Sequence, residues 1–307
     1  MPKVSVCIPV YNVEPYIARC IESVQSQSLR DVEIIVVNDC TPDKSMEIVR
    51  KYADEDCRIK IVEHDVNHGL MIARRTGYMA ASGDYITFCD SDDTLADGAL
   101  EKLYSAAVKE NADIVSGIIQ YIRNNGSSYL WPNKMTYGTD KESIYKSLLN
   151  NECGHNLCSR MFRRELLQNY SYQSFEGVTV GEDGILFYQL VENASKIIAI
   201  DSVVYEYYQN KDSSTNVILC DRALKSIAIL NSFRLKIAGQ YPNLKKQVAW
   251  KISEALFYLR NEGYDMDKFW DEYDLKLYAK TMTYISYHGF ANYLIMNLKR
   301  LYRKIKR

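Results

Sequence analysis

Three carboxylates within four residues, Asp90, Asp92 and Asp93, close the stretch DYITFCDSDD (Asp84–Asp93). They follow the short apolar, β-branched and aromatic run Tyr85–Cys89, which reads as a buried strand, so the acids stand together at its carboxyl end. In an open parallel sheet that end is the ligand edge. Clustered hard oxygens there suit Mg2+ or Mn2+ carrying a phosphate. The same residues could instead form a turn whose aspartates cap a helix starting near Asp97. A second acidic pair, Glu182-Asp183, precedes Ile185, Phe187, Tyr188, Leu190 and Val191 at helical spacing. It therefore stands at a helix N-terminus, where it would at least complement the helix dipole.

The elements that must position these groups alternate. Val4–Val10 is a near-continuous apolar strand, followed by a helix with Pro15 in its first turn and Ile17, Cys20, Ile21 and Val24 on one face. Val32–Val37 is a second strand, ending in Asn38-Asp39, and a helix capped by Asp43 follows. Arg58–Glu63 is a third. Leu70–Ala81 then forms a helix whose Ala73, Gly77 and Ala80 give a small-residue face. Strand–helix alternation with short loops implies a parallel sheet with right-handed crossovers and helices on both faces, its loops gathered along one edge.

Beyond the acids come a helix over Gly98–Asn111 and a strand over Asp113–Tyr121. Arg123–Gly138 reads as a loop or hairpin and Lys141–Asn150 as a short helix. Asn156–Gln168 carries a basic run, Ile197–Tyr208 reads as a strand pair, and the chain is helical from Leu219 onward.

Taken loop by loop, the strand ends present Tyr11, Asp39, Arg74 and Asp90-Ser91-Asp92. An aromatic can stack on a base, a carboxylate can accept a base N–H, an arginine can pair a phosphate, and an aspartate can hold a divalent ion. Together they suit a nucleoside diphosphate. Each also has a plain structural reading: Tyr11 as packing, Asp39 as a loop cap, Arg74 as a solvated helix face.

Composition narrows the class. The 307 residues are 47% hydrophobic and 25% charged, with net charge −1, so a large folded core is expected and no basic field points to nucleic acid. The eight cysteines form no CxxC pair, which suits reduced thiols, and the four histidines show no ligand spacing. Met1 runs into a strand with no signal peptide, and no apolar run is long enough to span a bilayer, so a cytoplasmic protein is expected. Phe290–Arg307 forms a basic amphipathic pattern, with Leu294, Leu298, Leu301 and Ile305 opposed to Lys299, Arg300, Arg303, Lys304, Lys306 and Arg307. It could lie on an anionic membrane surface, bind a partner, or pack on the preceding helices.

The segments VSVCIPVYNVEPYIARCIESVQSQSL, VEIIVVNDCTPDKS, NHGLMIARRTGYMAASGDYITFCDSDD and GEDGILFYQL together resemble the family 2 glycosyltransferases of the GT-A fold, in the family's order over roughly the first two hundred residues. The resemblance implies an α/β fold with a Rossmann-like, mostly parallel sheet flanked by helices and a helical C-terminal extension. It divides the chain into a glycosyltransferase domain over 1–215 (nucleotide half about 1–122, acceptor half about 123–215) and a helical region over 216–307. By the same similarity Pro9, Tyr11, Glu14 and Asp39 would line the nucleoside pocket. Arg74 would lie near the diphosphate or ribose, Asp90 and Ser91 at the ribose or donor sugar, and Asp92 on Mn2+ or Mg2+. Asp183 would be the general base, with Glu182 beside it. The implied activity is inverting transfer from a UDP-sugar to a hydroxyl of a glycan or lipid-linked oligosaccharide.

Three departures stand out. Arg75 replaces a usual Asn, Asn38 and Cys40 flank Asp39 where Asp and Gly are more common, and Gln209 stands where a basic residue is frequent. Two other classes share features with this pattern. A sugar-nucleotide pyrophosphorylase has a similar sheet but a Gly-rich loop after the first strand, absent from Ile8–Asn12. A non-catalytic nucleotide- or glycan-binding subunit would have no need of Asp92 and Asp183.

Overall fold

The run VSVCIPV forms strand β1 (Val4–Val10), buried at all seven positions because it lies inside the sheet with a neighbour on each side. In this computed structural model the described residues are 1–131, 138–152, 154–178, 181–210 and 221–261. Strand β2 (Val32–Asn38) pairs parallel with β1 on one side, and β3 (Ile59–Glu63) continues parallel beyond it. Strand β4 (Tyr85–Phe88) pairs parallel on the other side. Pro9 is tolerated within β1 because the pairing with β4 ends at Cys7↔Phe88, before its missing N–H would be needed.

Helices α1 (Ile17–Gln25) and α2 (Ser45–Glu55) cover one face. Ile17, Cys20, Ile21 and Val24 of α1 and Met46 and Val49 of α2 join Val6, Ile8, Ile34 and Val36 in one core, each buried aliphatic side chain contributing about 1.5–3 kcal/mol. Helix α3 (Leu70–Ala80) covers the opposite face. Its approach is close: a Cβ on Gly77 would lie 3.0 Å from that of Cys7. Ala80, expected on the same stripe, is exposed, and the inward positions are Met71, Ala73, Arg74, Gly77 and Tyr78. An arginine therefore occupies the inner face.

After the acids come a two-residue strand β5 (Thr94–Leu95), α4 (Ala99–Glu110) and β6 (Ile114–Ile122). Strand β7 (Ser128–Trp131) forms an antiparallel hairpin with β6. Then come α5 (Lys141–Leu149), β8 (Arg160–Arg163), α6 (Arg164–Gln168), α7 (Glu182–Asn193) and β9 (Ile197–Tyr208). The sheet order is β3-β2-β1-β4-β8-β6-β9-β5, with β7 beside β6. Strands β1 to β4 are mutually parallel, whereas β8 runs antiparallel to both β4 and β6 and joins them to the rest of the sheet.

Ile197–Tyr208 is one strand of twelve residues rather than a strand pair. It accommodates its length through register shifts against β6 at Ser116–Ile119. Gly117 is needed there, since a Cβ would fall 2.4 Å from Val204 Cγ2.

The chain divides into two compact units at Phe233/Arg234. Helix α8 (Asp221–Gln240) crosses that point, and a 3-10 turn at Pro242–Leu244 leads into α9 (Lys245–Asn261). The basic amphipathic pattern over Phe290–Arg307 lies outside the described residues.

One buried acid holds the amino edge of the parallel half together. Glu33 Oε1 accepts from Ser5 Oγ (2.5 Å), Ser82 N (2.6 Å) and Gly83 N (3.2 Å), and Oε2 from Lys60 Nζ (2.6 Å). Burial alone would raise its pKa, but the bonds from Lys60, Ser5 and Ser82 outweigh it and hold the carboxyl down at about 2. A folded pKa below the unfolded value contributes stability above the unfolded pKa, lost as pH falls toward 2. Glu33→Gln should therefore cost about 2–3 kcal/mol at pH 7 in urea unfolding, and much less near pH 2.

Candidate active site

The carboxyl ends of β1, β2 and β4 deliver Tyr11, Asp39 and Asp90 to one edge, at the point where the strand order reverses around β1. Tyr11 is 48% exposed there. The residues after it and after Asp39, Asn12 and Cys40, both take the left-handed backbone at φ 56°. For a side-chain-bearing residue this costs about 1–2 kcal/mol, which explains why glycine suits the position of Cys40.

Asp39 is buried and heavily engaged. Its Oδ1 accepts from His64 Nδ1 (2.8 Å) and His68 N (2.9 Å), and its Oδ2 from Gly69 N (2.8 Å). His64 Nε2 in turn meets Thr76 Oγ1 at 2.8 Å. Asp39 thus fixes the loop entering α3 at the same edge where it could meet a base. Glu14 is exposed, and its Oε2 accepts from Lys44 N (3.1 Å) while Asp43 Oδ2 accepts from Glu14 N (2.8 Å). Both acids dock the β1–α1 loop on the start of α2. Pro9 lies within the strand, one residue before its end.

Arg74 is the centre of the arrangement. Only 3% exposed, it donates from Nη2 to Asp90 Oδ1 (2.7 Å) and from Nη1 to Asp183 Oδ1 (2.6 Å), with Glu182 Oε1 3.6 Å away. Burial works against its charge, but Asp183, Asp90 and Glu182 raise its pKa well above the ordinary value, so it is a permanent cation. Its Nε is buried with no hydrogen-bond partner among the described residues. Arg75 next to it faces outward and pairs with Ser174 (2.9 Å).

Asp183 lies in the first turn of α7, where Gly181 supplies the left-handed N-cap at φ 76°. Its Oδ2 accepts from Leu157 N (3.3 Å). Burial raises its pKa, Arg74 opposes this, and Glu182 and Asp90 raise it further, to about 7. Such a carboxylate can take a proton near neutral pH. It opens into a pocket of about 280 Å3 lined by Tyr121, Trp131, His155, Asn156, Gly184 and Leu230 among others.

The acidic loop is held from several sides. Asp92 Oδ2 accepts from Asn210 Nδ2 (3.0 Å), and its main-chain oxygen accepts from Arg19 Nη2 (2.6 Å). Asp93 is buried and binds Tyr205 Oη (2.8 Å) and Tyr208 N (2.8 Å). Burial raises the pKa of both acids, Asp90 raises Asp92 further, and Asp92 and Asp90 raise Asp93. Ser91 is buried.

Residues 5–171 match the family model described as "Glycosyl transferase family 2". The chain belongs to glycosyl transferase family 2. Among curated relatives, "Uncharacterized glycosyltransferase EpsJ" of Bacillus subtilis is 33% identical over 71% of this chain and 64% of its own length. "Glycosyltransferase GlyA" of Streptococcus pneumoniae is 32% identical over 70% of this chain and 32% of its own. The match thus spans less than two thirds of either relative. Among solved structures, S. aureus TarS 1-349 in complex with UDP-GlcNAc superposes with TM-score 0.66 at 19% identity, covering 83% of this chain and 71% of that one. This likeness places the sheet and its helices in the GT-A fold expected of the family. Family membership also sets aside the pyrophosphorylase reading.

In this family 2 chain, the described residues hold no group of three or more His, Cys, Asp and Glu at metal-ligand spacing. A divalent ion that carries a diphosphate needs only one or two carboxylates, the phosphates and water supplying the rest. Asp92 and Asp90 are suitable hard oxygens. The unpartnered Nε of Arg74, whose Nη2 pairs with Asp90, is a donor suited to a phosphate oxygen.

Sequence reading did not find Asp93's partners Tyr205 and Tyr208, Asn210, Arg19 or the pocket aromatics Tyr121 and Trp131. They lie on elements far along the chain from the acids and carry no local motif. The Tyr-rich end of β9 was the one available signal. Among the described residues no helix is long and apolar enough to cross a membrane.

Proposed function

We propose that this chain is an inverting glycosyltransferase that moves a sugar from a uridine-type nucleoside diphosphate donor to a hydroxyl of a glycan or lipid-linked oligosaccharide. The observation that carries the reading is Arg74, which joins Asp90 at the donor edge to Asp183 at the mouth of the pocket. A base and a donor-binding acid are thereby held one guanidinium apart.

In this reading Tyr11 and Asp39 hold the base, and Arg74 and Asp90 orient the diphosphate and its sugar. Asp183 removes the proton from the acceptor hydroxyl as its oxygen attacks the anomeric carbon from the face opposite the diphosphate. The bond to the diphosphate breaks with the electron pair remaining on the leaving group, and the configuration inverts. No covalent nucleophile is required. A divalent cation, Mn2+ or Mg2+, held through Asp92 with Asp90 nearby, would neutralise charge developing on the diphosphate. The solved complexes of TarS with UDP-GlcNAc, and of the mannosyltransferase PcManGT with GDP-Man and Mn2+ (TM-score 0.56), support a nucleotide-sugar donor for a sheet of this kind.

The test is a panel of nucleotide sugars with Mn2+, read by thermal shift and by donor hydrolysis. Uridine donors should raise the melting temperature and be hydrolysed. A shift with guanosine donors alone would overturn the uridine assignment, and binding without turnover to any acceptor would return the non-catalytic reading. Membrane attachment through 290–307 is part of the same proposal. Truncation after Gly289 should abolish sedimentation with anionic liposomes.

A further inference from the structure

The acidic loop is reached by a cation from an element distant in the chain. Arg19, on α1, crosses to the acidic loop and donates from Nη2 to the main-chain oxygen of Asp92 at 2.6 Å. Its guanidinium lies 3.6 Å from the centre of the Tyr208 ring. Tyr208 is itself fixed, since its N–H donates to Asp93 Oδ1 (2.8 Å) and its hydroxyl to Glu206 Oε2 (3.3 Å). Two residues further on, Asn210 Nδ2 donates to Asp92 Oδ2 at 3.0 Å. Asp92 is thus held at two points, backbone and carboxylate, by groups from α1 and from the end of β9.

We propose that Arg19, held over the Tyr208 ring, is a positioning residue that orients Asp92 for a divalent cation. The inference rests on the reading of Asp92 as a metal ligand. An arginine suits this place, because a planar guanidinium can stack on the ring and still direct an N–H at a carbonyl oxygen in a fixed geometry. A lysine keeps the charge but not the plane. Partners that orient a metal ligand without touching the ion typically change affinity by about 10–100-fold when removed.

The experiment measures Mn2+ affinity of the full chain by electron paramagnetic resonance, with UDP and, separately, inorganic pyrophosphate as probes. Thermal midpoints are recorded without metal. Arg19→Ala should weaken Mn2+ binding by about 10–100-fold, and Arg19→Lys should recover little of it. Tyr208→Phe, which keeps the ring, should bind as the unaltered chain does, whereas Tyr208→Leu should resemble Arg19→Ala. The metal-free midpoint should stay the same for Arg19→Lys and Tyr208→Phe, and this pair carries the test if the alanine variant fails to fold. Asp92→Asn separates the two levels. If it abolishes Mn2+ binding while both Arg19 variants stay within about twofold of the unaltered chain, the positioning role is overturned and the metal reading stands. If Asp92→Asn leaves Mn2+ binding intact, or the unaltered chain binds none with either probe, the metal reading falls and this inference with it.

Discussion

Asp183→Asn is expected to lower kcat by about two or more orders of magnitude while donor affinity changes little, because it removes the proton acceptor and almost nothing else. The amide oxygen can keep the short bond from Arg74 Nη1 to Oδ1, and only the longer bond from Leu157 N to Oδ2 (3.3 Å) is lost. Arg74 keeps Asp90 as a full ion-pair partner, so the buried guanidinium is not left without a counter-charge. The unaltered enzyme should show a matching pH dependence. With burial, opposed by Arg74, setting the Asp183 pKa at about 7, the base is protonated and idle below that value. Log kcat should rise with unit slope as pH increases toward about 7 and then level off. Glu182→Gln removes an acid 3.6 Å from Arg74 and should cost far less. The reverse ranking of the two variants, or a kcat flat between pH 5 and 8, would assign the proton transfer to another group.

Asp92→Asn, or removal of divalent metal by EDTA, should reduce turnover by about 100-fold or more, with Mn2+ or Mg2+ restoring the chelated enzyme and not the variant. Asp90, Asp92 and Asp93 crowd one loop, and only Asp90 is directly paired with Arg74. Burial and the neighbouring Asp90 hold the Asp92 pKa above its ordinary value, as expected of a carboxylate short of positive charge. A divalent ion supplies that charge and would favour the ionised form. Full turnover after both chelation and substitution would remove the metal from the mechanism.

Much of this was legible in the chain itself. The runs VSVCIPV, VEIIVV and YITF are largely apolar without alternation, which marks strands buried on both faces, and each is followed within two positions by a residue with chemical capacity, Tyr11, Asp39 or Asp90. Period and turn residues are local properties, so β1, β2 and β4 and the edge bearing Tyr11, Asp39 and Asp90 follow from short stretches alone. Strand β8 escaped because four residues reading RMFR have charged ends and no pattern. It is a strand because β4 and β6 leave a gap that it fills by antiparallel pairing. Strand β9 read as two because Asp201-Ser202 interrupts an apolar run, and the irregular register against Gly117 absorbs that interruption.

The sequence by itself determined the residue types at the strand ends and the helix start that carries Glu182-Asp183. Tertiary structure decided which of them act together. Arg74 and Asp183 are 109 positions apart and meet at 2.6 Å because α3 turns an arginine inward toward the start of α7. Arg19 and Asp92, 73 positions apart, meet because the end of β9 places Tyr208 beneath the guanidinium. A charge's neighbours at such separations depend on how whole elements pack, and the raised pKa of Asp183 depends on burial that exists only once they have. No periodicity or spacing in the chain encodes either quantity.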